Sequence, residues 1–166
     1  MLLLRNAHVH APEDLGIQDL LIAGGRIVAM AASLPLPPAA YGATVVDVGG
    51  ARLIPGLIDC HVHVTGGGGE SGPSSRVPPI VLSRLTEAGI TSVVGTLGTD
   101  GTTRTVASLV ARTLGLRAEG LSAWCYTGSY EVPPLTLTGS VRSDIVFVDP
   151  IVGVGELAIS DHRSSQ

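Results

Sequence analysis

His61 and His63 stand two residues apart in Asp59-Cys60-His61-Val62-His63, just after the apolar run Leu53-Ile54-Pro55-Gly56-Leu57-Ile58. In an extended strand, residues two apart project from the same face. Such a pair offers two imidazole nitrogens to one metal ion, and zinc accepts them readily. A pair of surface or core histidines without a metal would be spelled the same way. The apolar strand ahead of the pair and the glycine-rich stretch behind it favour the metal reading.

Other polar residues fall where ligands or substrate would be met. Gly66 to Gly69 form a glycine run that lets backbone approach a ligand closely. It is not a phosphate-binding loop of the Walker type, because no Gly-Lys-Ser/Thr follows. A plain flexible loop is the alternative. Glu70 follows the run and could pair with a substrate ammonium, or simply lie in solvent. Thr99, Tyr130 and Glu156 lie at or near the ends of apolar strand-like segments, and Arg163 follows the last of them. A glutamate within an apolar strand is costly unless it is paired or bound to metal. An arginine offers a planar fork to a carboxylate. Taken one at a time, each of these also reads as a hydrogen-bonded loop residue.

The elements that must position these residues change character along the chain. Residues 18–23 and 26–30 flank Gly24-Gly25 and read as a hairpin, since such turns need positive φ. Residues 44–48 read as a further strand, and the prolines of 34–38 as a loop. The expectation is a small β domain over 1–52 and a different unit over 53–166. In the second unit, residues 53–64 are expected to form a buried strand. A helix starts near Pro79 and stops at Gly89, and a strand spans 90–97. A second helix covers 102–119, and a strand spans 121–127. Residues 141–148 are ambiguous between helix and loop, and a fourth strand covers 150–159. Strands alternating with helices imply βα units on a parallel sheet, with ligands at the C-terminal strand ends. The fold class expected is therefore α/β, a partial (β/α)8 barrel of about four strands with a small N-terminal β layer, because a whole barrel takes ~250 residues.

Composition sets the outer limits. The chain has 166 residues, of which 45% are hydrophobic and 14% charged, which argues against disorder. Its net charge of −4, with ten Lys and Arg, shows no basic patch for nucleic acid. Two cysteines give no disulfide framework and suit a reducing compartment. No apolar run reaches the roughly 18 residues of a membrane helix, and Met1-Leu2-Leu3-Leu4-Arg5 is too short for a signal peptide. The expectation is a soluble cytoplasmic chain without nucleic-acid or membrane partners.

Several segments, in order, resemble one family. Val45-Val46-Asp47 and Pro55-Gly56-Leu57-Ile58-Asp59 leading into His61-Val62-His63 are similar to the amidohydrolase superfamily at large. More specific are Gly66-Gly67-Gly68-Gly69-Glu70-Ser71-Gly72-Pro73, Leu82-Ser83-Arg84-Leu85-Thr86-Glu87-Ala88-Gly89 and Gly98-Thr99-Asp100. With Thr127-Gly128-Ser129-Tyr130, Thr138-Gly139-Ser140-Val141 and Ala158-Ile159-Ser160-Asp161-His162-Arg163-Ser164, they resemble the isoaspartyl dipeptidases. The resemblance implies a metal-dependent barrel flanked by a small β domain. The implied activity is hydrolysis of β-aspartyl dipeptides by a metal-bound hydroxide, with one or two zinc ions as cofactor. It assigns His61 and His63 as metal ligands, and Gly68, Gly69, Glu70, Thr99, Tyr130 and Arg163 as substrate contacts. Glu70 would take the free α-amino group, Arg163 a carboxylate, and Tyr130 the scissile carbonyl or its oxyanion.

Two departures qualify what the resemblance implies. The family bridges its metals with a carbamylated lysine from the fourth strand, and the aligned position here is Glu156. A glutamate can bridge cations, but it is shorter. The family's remaining histidine ligands and its general acid/base aspartate come from the fifth, sixth and eighth strands, which are absent from this chain. The expectation is a fragment or one chain of a split enzyme, weakly active or inactive alone, forming a homo-oligomer or joined by a complementing barrel chain. The alternatives are another amidohydrolase activity, dihydroorotase-like or deacetylase-like, and a non-catalytic half-subunit that docks on a full-length relative.

Overall fold

A computed structural model describes residues 1–69 and 71–158. The chain divides into two compact units, Met1–Pro55 and Gly56–Gln166. The predicted Glu70 and Arg163 contacts lie outside the described residues.

The first unit is one five-stranded sheet. Strands β1 (Leu2–His10), β2 (Asp14–Ala23), β3 (Arg26–Ala31) and β4 (Thr44–Asp47) take the order β3-β2-β1-β4, and the short β5 (Arg52–Leu53) also pairs with β1. The β1–β2 and β2–β3 pairs are antiparallel, whereas β4 and β5 run parallel to β1. Gly24 and Gly25 turn the β2–β3 hairpin with φ of 57° and 72°, as a two-residue turn matching strand twist requires. Ala7, Val9 and Leu20 form the small core. Asp19 is buried beside it because its carboxylate has partners: the backbone N–H groups of Asn6 and Leu34, each at 3.0 Å, and Arg5 at 3.4 Å.

The second unit is a four-stranded sheet of βα pattern. Strands β6 (Leu57–Val62), β7 (Ile90–Gly95), β8 (Ser122–Thr127) and β9 (Ile151–Val154) are all parallel and pair in sequence order. Helices α1 (Leu82–Glu87), α2 (Val106–Ala118) and α3 (Val141–Phe147) fill the connections. This is the strand–helix alternation of a (β/α)8 barrel, carried through four strands. Helix α2 starts at a reciprocal cap: Thr105 Oγ1 accepts from the Ser108 N–H, and Ser108 Oγ accepts from the Thr105 N–H, both at 3.1 Å. Val106, Leu109, Thr113 and Leu116 then recur at helical spacing and are buried. Leu109 and Leu116 are fully covered, each stabilising the unit by roughly 2 kcal/mol. Segment 141–148, ambiguous in sequence, is helical because Ser140 Oγ caps it through the Ser143 N–H.

One strand reading is corrected. The run 53–64 is not a single buried strand. Leu53 ends β5 and pairs with Val9 in the first unit, and β6 begins only at Leu57. Proline at position 55 lacks the donor that a continuous ladder would need. Nor is β6 buried: Leu57 and Ile58 are exposed, because among the described residues only β7 pairs with it. At the opposite edge, Val152 and Val154 of β9 are exposed, as is Phe147 at the end of α3.

Candidate metal centre

The C-terminal end of β6 delivers the histidines. Asp59 Oδ1 accepts from the His61 backbone N–H at 3.0 Å, a local bond that sets the chain as β6 closes. The carbonyl of Val62 accepts from the Thr96 N–H at 2.9 Å, which ties this end to the segment after β7. The two imidazole rings lie 5.5 Å apart, inclined at 70°.

Glu156 reaches the same point from the other edge of the sheet. It follows β9 rather than lying within it. Its Oε1 pairs with His61 Nε2. One ligand atom each from His61, His63 and Glu156 falls within 4.8 Å of the others. His61 is largely exposed, whereas the Glu156 side chain is only 19% exposed. His63 Nδ1 and Glu156 Oε2 are both buried with no hydrogen-bond partner among the described residues. Orphaned buried nitrogen and carboxylate oxygen are costly. A cation set among them would satisfy both.

Glycine backbone makes room for this cluster. A Cβ placed on Gly98 would lie 2.7 Å from His63 Nδ1 and Cε1, and Gly98 has φ of 81°. Only glycine accepts both the conformation and the approach. Gly67 lies along the same ring, where a Cβ would come 3.5 Å from His63 Cγ.

Arg104 holds the glycine run in place, and sequence reasoning missed it. Its guanidinium donates to the carbonyls of Gly67 at 2.9 Å and Gly68 at 3.4 Å, and its side chain is buried. Asp100 pairs with the same guanidinium at 3.5 Å and accepts from the Thr103 N–H at 2.7 Å. Burial raises the Asp100 carboxyl, but Thr103, Arg104 and Arg76 together hold it below the usual range. The Asp-x3-Arg spacing after Gly98-Thr99 was the available signal, though nothing in it pointed to the glycine run more than 30 residues earlier.

A second bolt, Asp144, also went unread. It is fully buried on α3 and accepts from Thr127 Oγ1 at 2.5 Å, Thr138 Oγ1 at 2.6 Å, and the N–H groups of Leu137 and Thr138 at 2.8 Å. Burial raises its carboxyl, and these hydrogen bonds outweigh that and leave it lowered. The excursion from Thr127 to Thr138, which carries Tyr130, is thus fastened at both ends. The Tyr130 carbonyl accepts from the Ala158 N–H at 3.3 Å, two residues beyond Glu156. Thr99 directly follows Gly98. Gly68 and Gly69 sit on the run held by Arg104, with φ of 68° and 105°.

Comparison with known proteins decides what kind of fold this is. The β-aspartyl dipeptidase of Fervidobacterium islandicum AW-1, solved in complex with a β-Asp-Leu dipeptide, is 45% identical and superposes with a TM-score of 0.92 over 99% of this chain. The fold is that of the isoaspartyl dipeptidases of the amidohydrolase superfamily. The chain covers 43% of that dipeptidase's length. The imidazolonepropionase of Cupriavidus taiwanensis is 35% identical over 63% of this chain, which spans 26% of that enzyme. An atrazine chlorohydrolase of Arthrobacter aurescens TC1, solved with zinc and atraton, shares the fold at a TM-score of 0.51 and 20% identity, over 78% of this chain and 36% of its own. No family model matches. Among the described residues, no helix is long and apolar enough to cross a membrane.

Proposed function

We propose that this chain supplies the first part of a zinc-dependent isoaspartyl dipeptidase. The first unit, Met1–Pro55, serves as the small β domain, and Gly56–Gln166 as the N-terminal half of the barrel. The observation that carries the reading is the meeting of His61, His63 and Glu156, with two buried ligand atoms left unsatisfied. Two imidazoles and a carboxylate are a donor set that suits zinc, and three protein ligands leave a position open. Bound there, zinc supplies Lewis-acid activation of water and of the scissile carbonyl.

The protein's own groups do the rest of the work. Glu156 takes the position of the family's bridging carbamate. Gly68 and Gly69 present backbone to the dipeptide, in the shape that Arg104 imposes. Glu70 takes the free α-amino group and Arg163 a substrate carboxylate. Thr99 contacts the substrate, and Tyr130 polarises the scissile carbonyl. In the family that this chain resembles, the general acid/base is an aspartate from a later barrel strand, so the property expected of these residues is substrate binding. A complementing barrel chain or a homo-oligomer would cover the exposed β6 and β9 edges. The likeness to imidazolonepropionase favours a second reading, another amidohydrolase activity on a cyclic substrate, but it covers less of the chain at lower identity.

Ligand-observed NMR on the zinc-loaded chain tests the substrate class. We expect β-Asp-Leu to bind and α-Asp-Leu not to bind. Preference for an imidazolone or dihydropyrimidine ring over β-Asp-Leu would overturn the dipeptidase reading.

A further inference from the structure

A second cluster of metal-ligating side chains lies wholly within the first unit. His8 and His10 are two apart on β1, and so share a face of the sheet. Asp14 opens β2 and is the cross-strand partner of His10, beside a register shift that brings the hairpin end together. One ligand atom from each of the three falls within 4.8 Å of the others. The histidine rings lie 4.6 Å apart and are tilted at 34° to each other. They line a recess of about 420 Å³ together with Asp14, Arg52 and Ile54.

A hydrogen bond accounts for only part of this arrangement. His8 Nε2 lies 2.7 Å from Asp14 Oδ1, so those two groups satisfy each other. His10 Nε2 is buried and has no hydrogen-bond partner among the described residues. A buried ring nitrogen without a partner, in a cluster with a second imidazole and a carboxylate, lacks an acceptor, a donor or a cation.

We propose that His8, His10 and Asp14 form a second divalent transition-metal site, separate from the His61–His63–Glu156 centre. Two imidazole nitrogens and one carboxylate oxygen select zinc, nickel or copper over magnesium or calcium. The ion would clip β1 to β2 across the open end of their hairpin. A water fills the remaining position of a tetrahedral ion. Among the described residues, Arg52 is the one arginine or lysine lining the recess. It lies on β5, paired laterally with His8, and its side chain is exposed. Its charge opposes the ion, and its length allows it to turn into solvent.

The test uses the full chain carrying His61→Ala and His63→Ala, titrated with zinc chloride alone. Three histidines then remain: His8, His10 and His162. We expect the ring-nitrogen resonances of His8 and His10 to move together and saturate at one ion per chain. Adding His10→Ala should weaken binding by roughly tenfold or more. Adding Arg52→Gln should tighten it severalfold, which adventitious surface binding would not do. Unmoved His8 and His10 resonances at about millimolar zinc would overturn the proposal. So would affinity indifferent to His10→Ala. The resonance measurement leaves His8 and His10 intact, so a misfolded His10→Ala chain does not blunt it.

Discussion

His63 Nδ1 and Glu156 Oε2 are buried against the same glycine, Gly98, and neither has a hydrogen-bond partner among the described residues. They come from opposite edges of a four-stranded sheet and 93 positions apart in the chain. Packing two ligand atoms around a bare backbone leaves space for an ion and excludes a side chain.

Gly98→Ala should therefore damage the metal centre more than the fold. The new methyl would meet the His63 ring at 2.7 Å and sit on a positive-φ backbone. We expect zinc affinity to fall at least tenfold and stability by about 1–2 kcal/mol. Isothermal titration and denaturant melts of the variant measure the two separately. An unchanged zinc affinity would mean that His63 is not a ligand.

Arg104→Met keeps the aliphatic bulk and removes the donors to Gly67 and Gly68. It also leaves Asp100 without its buried partner. We expect a loss of about 2–4 kcal/mol in stability and faster amide exchange across the glycine run. Exchange confined to α2, with the run unaffected, would show that Arg104 serves the helix alone.

Asp144 makes stability depend on acid pH. Burial pushes its folded carboxyl up, but the Thr127, Thr138 and Leu137 hydrogen bonds outweigh burial and hold it below the ordinary 3.8. A lowered folded value stabilises the chain fully above the unfolded value. That contribution is lost as pH falls from about 3.8 through the lower folded value. Asp144→Asn should be less stable at pH 7 by about 2 kcal/mol, and part of the wild-type decline in acid should vanish. Urea melts from pH 7 to pH 3 follow this. A parallel decline in both proteins would place the acid sensitivity elsewhere.

Much of the fold was legible because the signals were local. Glycine turns, the helical spacing of Val106, Leu109 and Leu116, and the strand runs of 90–97 and 121–127 each depend on neighbours in sequence. The strand reading failed at 53–64, where two short strands of different sheets abut across Pro55. Apolar composition alone does not reveal that the ladder changes partner there. In the candidate site, the His61–His63 pair was visible as a spacing, and Glu156 as a carboxylate in an apolar run. Arg104 and Asp144 were not visible. Each works through contacts to backbone atoms that the sequence does not spell, and Arg104 reaches 37 positions back to Gly67. The His8–His10–Asp14 cluster escaped notice because the bulge that joins it is a feature of register, not of residue type.

The most direct test of the metal centre is a zinc titration of the unmodified chain, followed at the histidine ring-nitrogen resonances. His61 and His63 should move together and saturate, and Glu156→Gln should weaken that transition by roughly tenfold or more. If His61 and His63 stay unmoved at saturating zinc, or move equally well in the Glu156→Gln variant, the three residues do not form a metal centre.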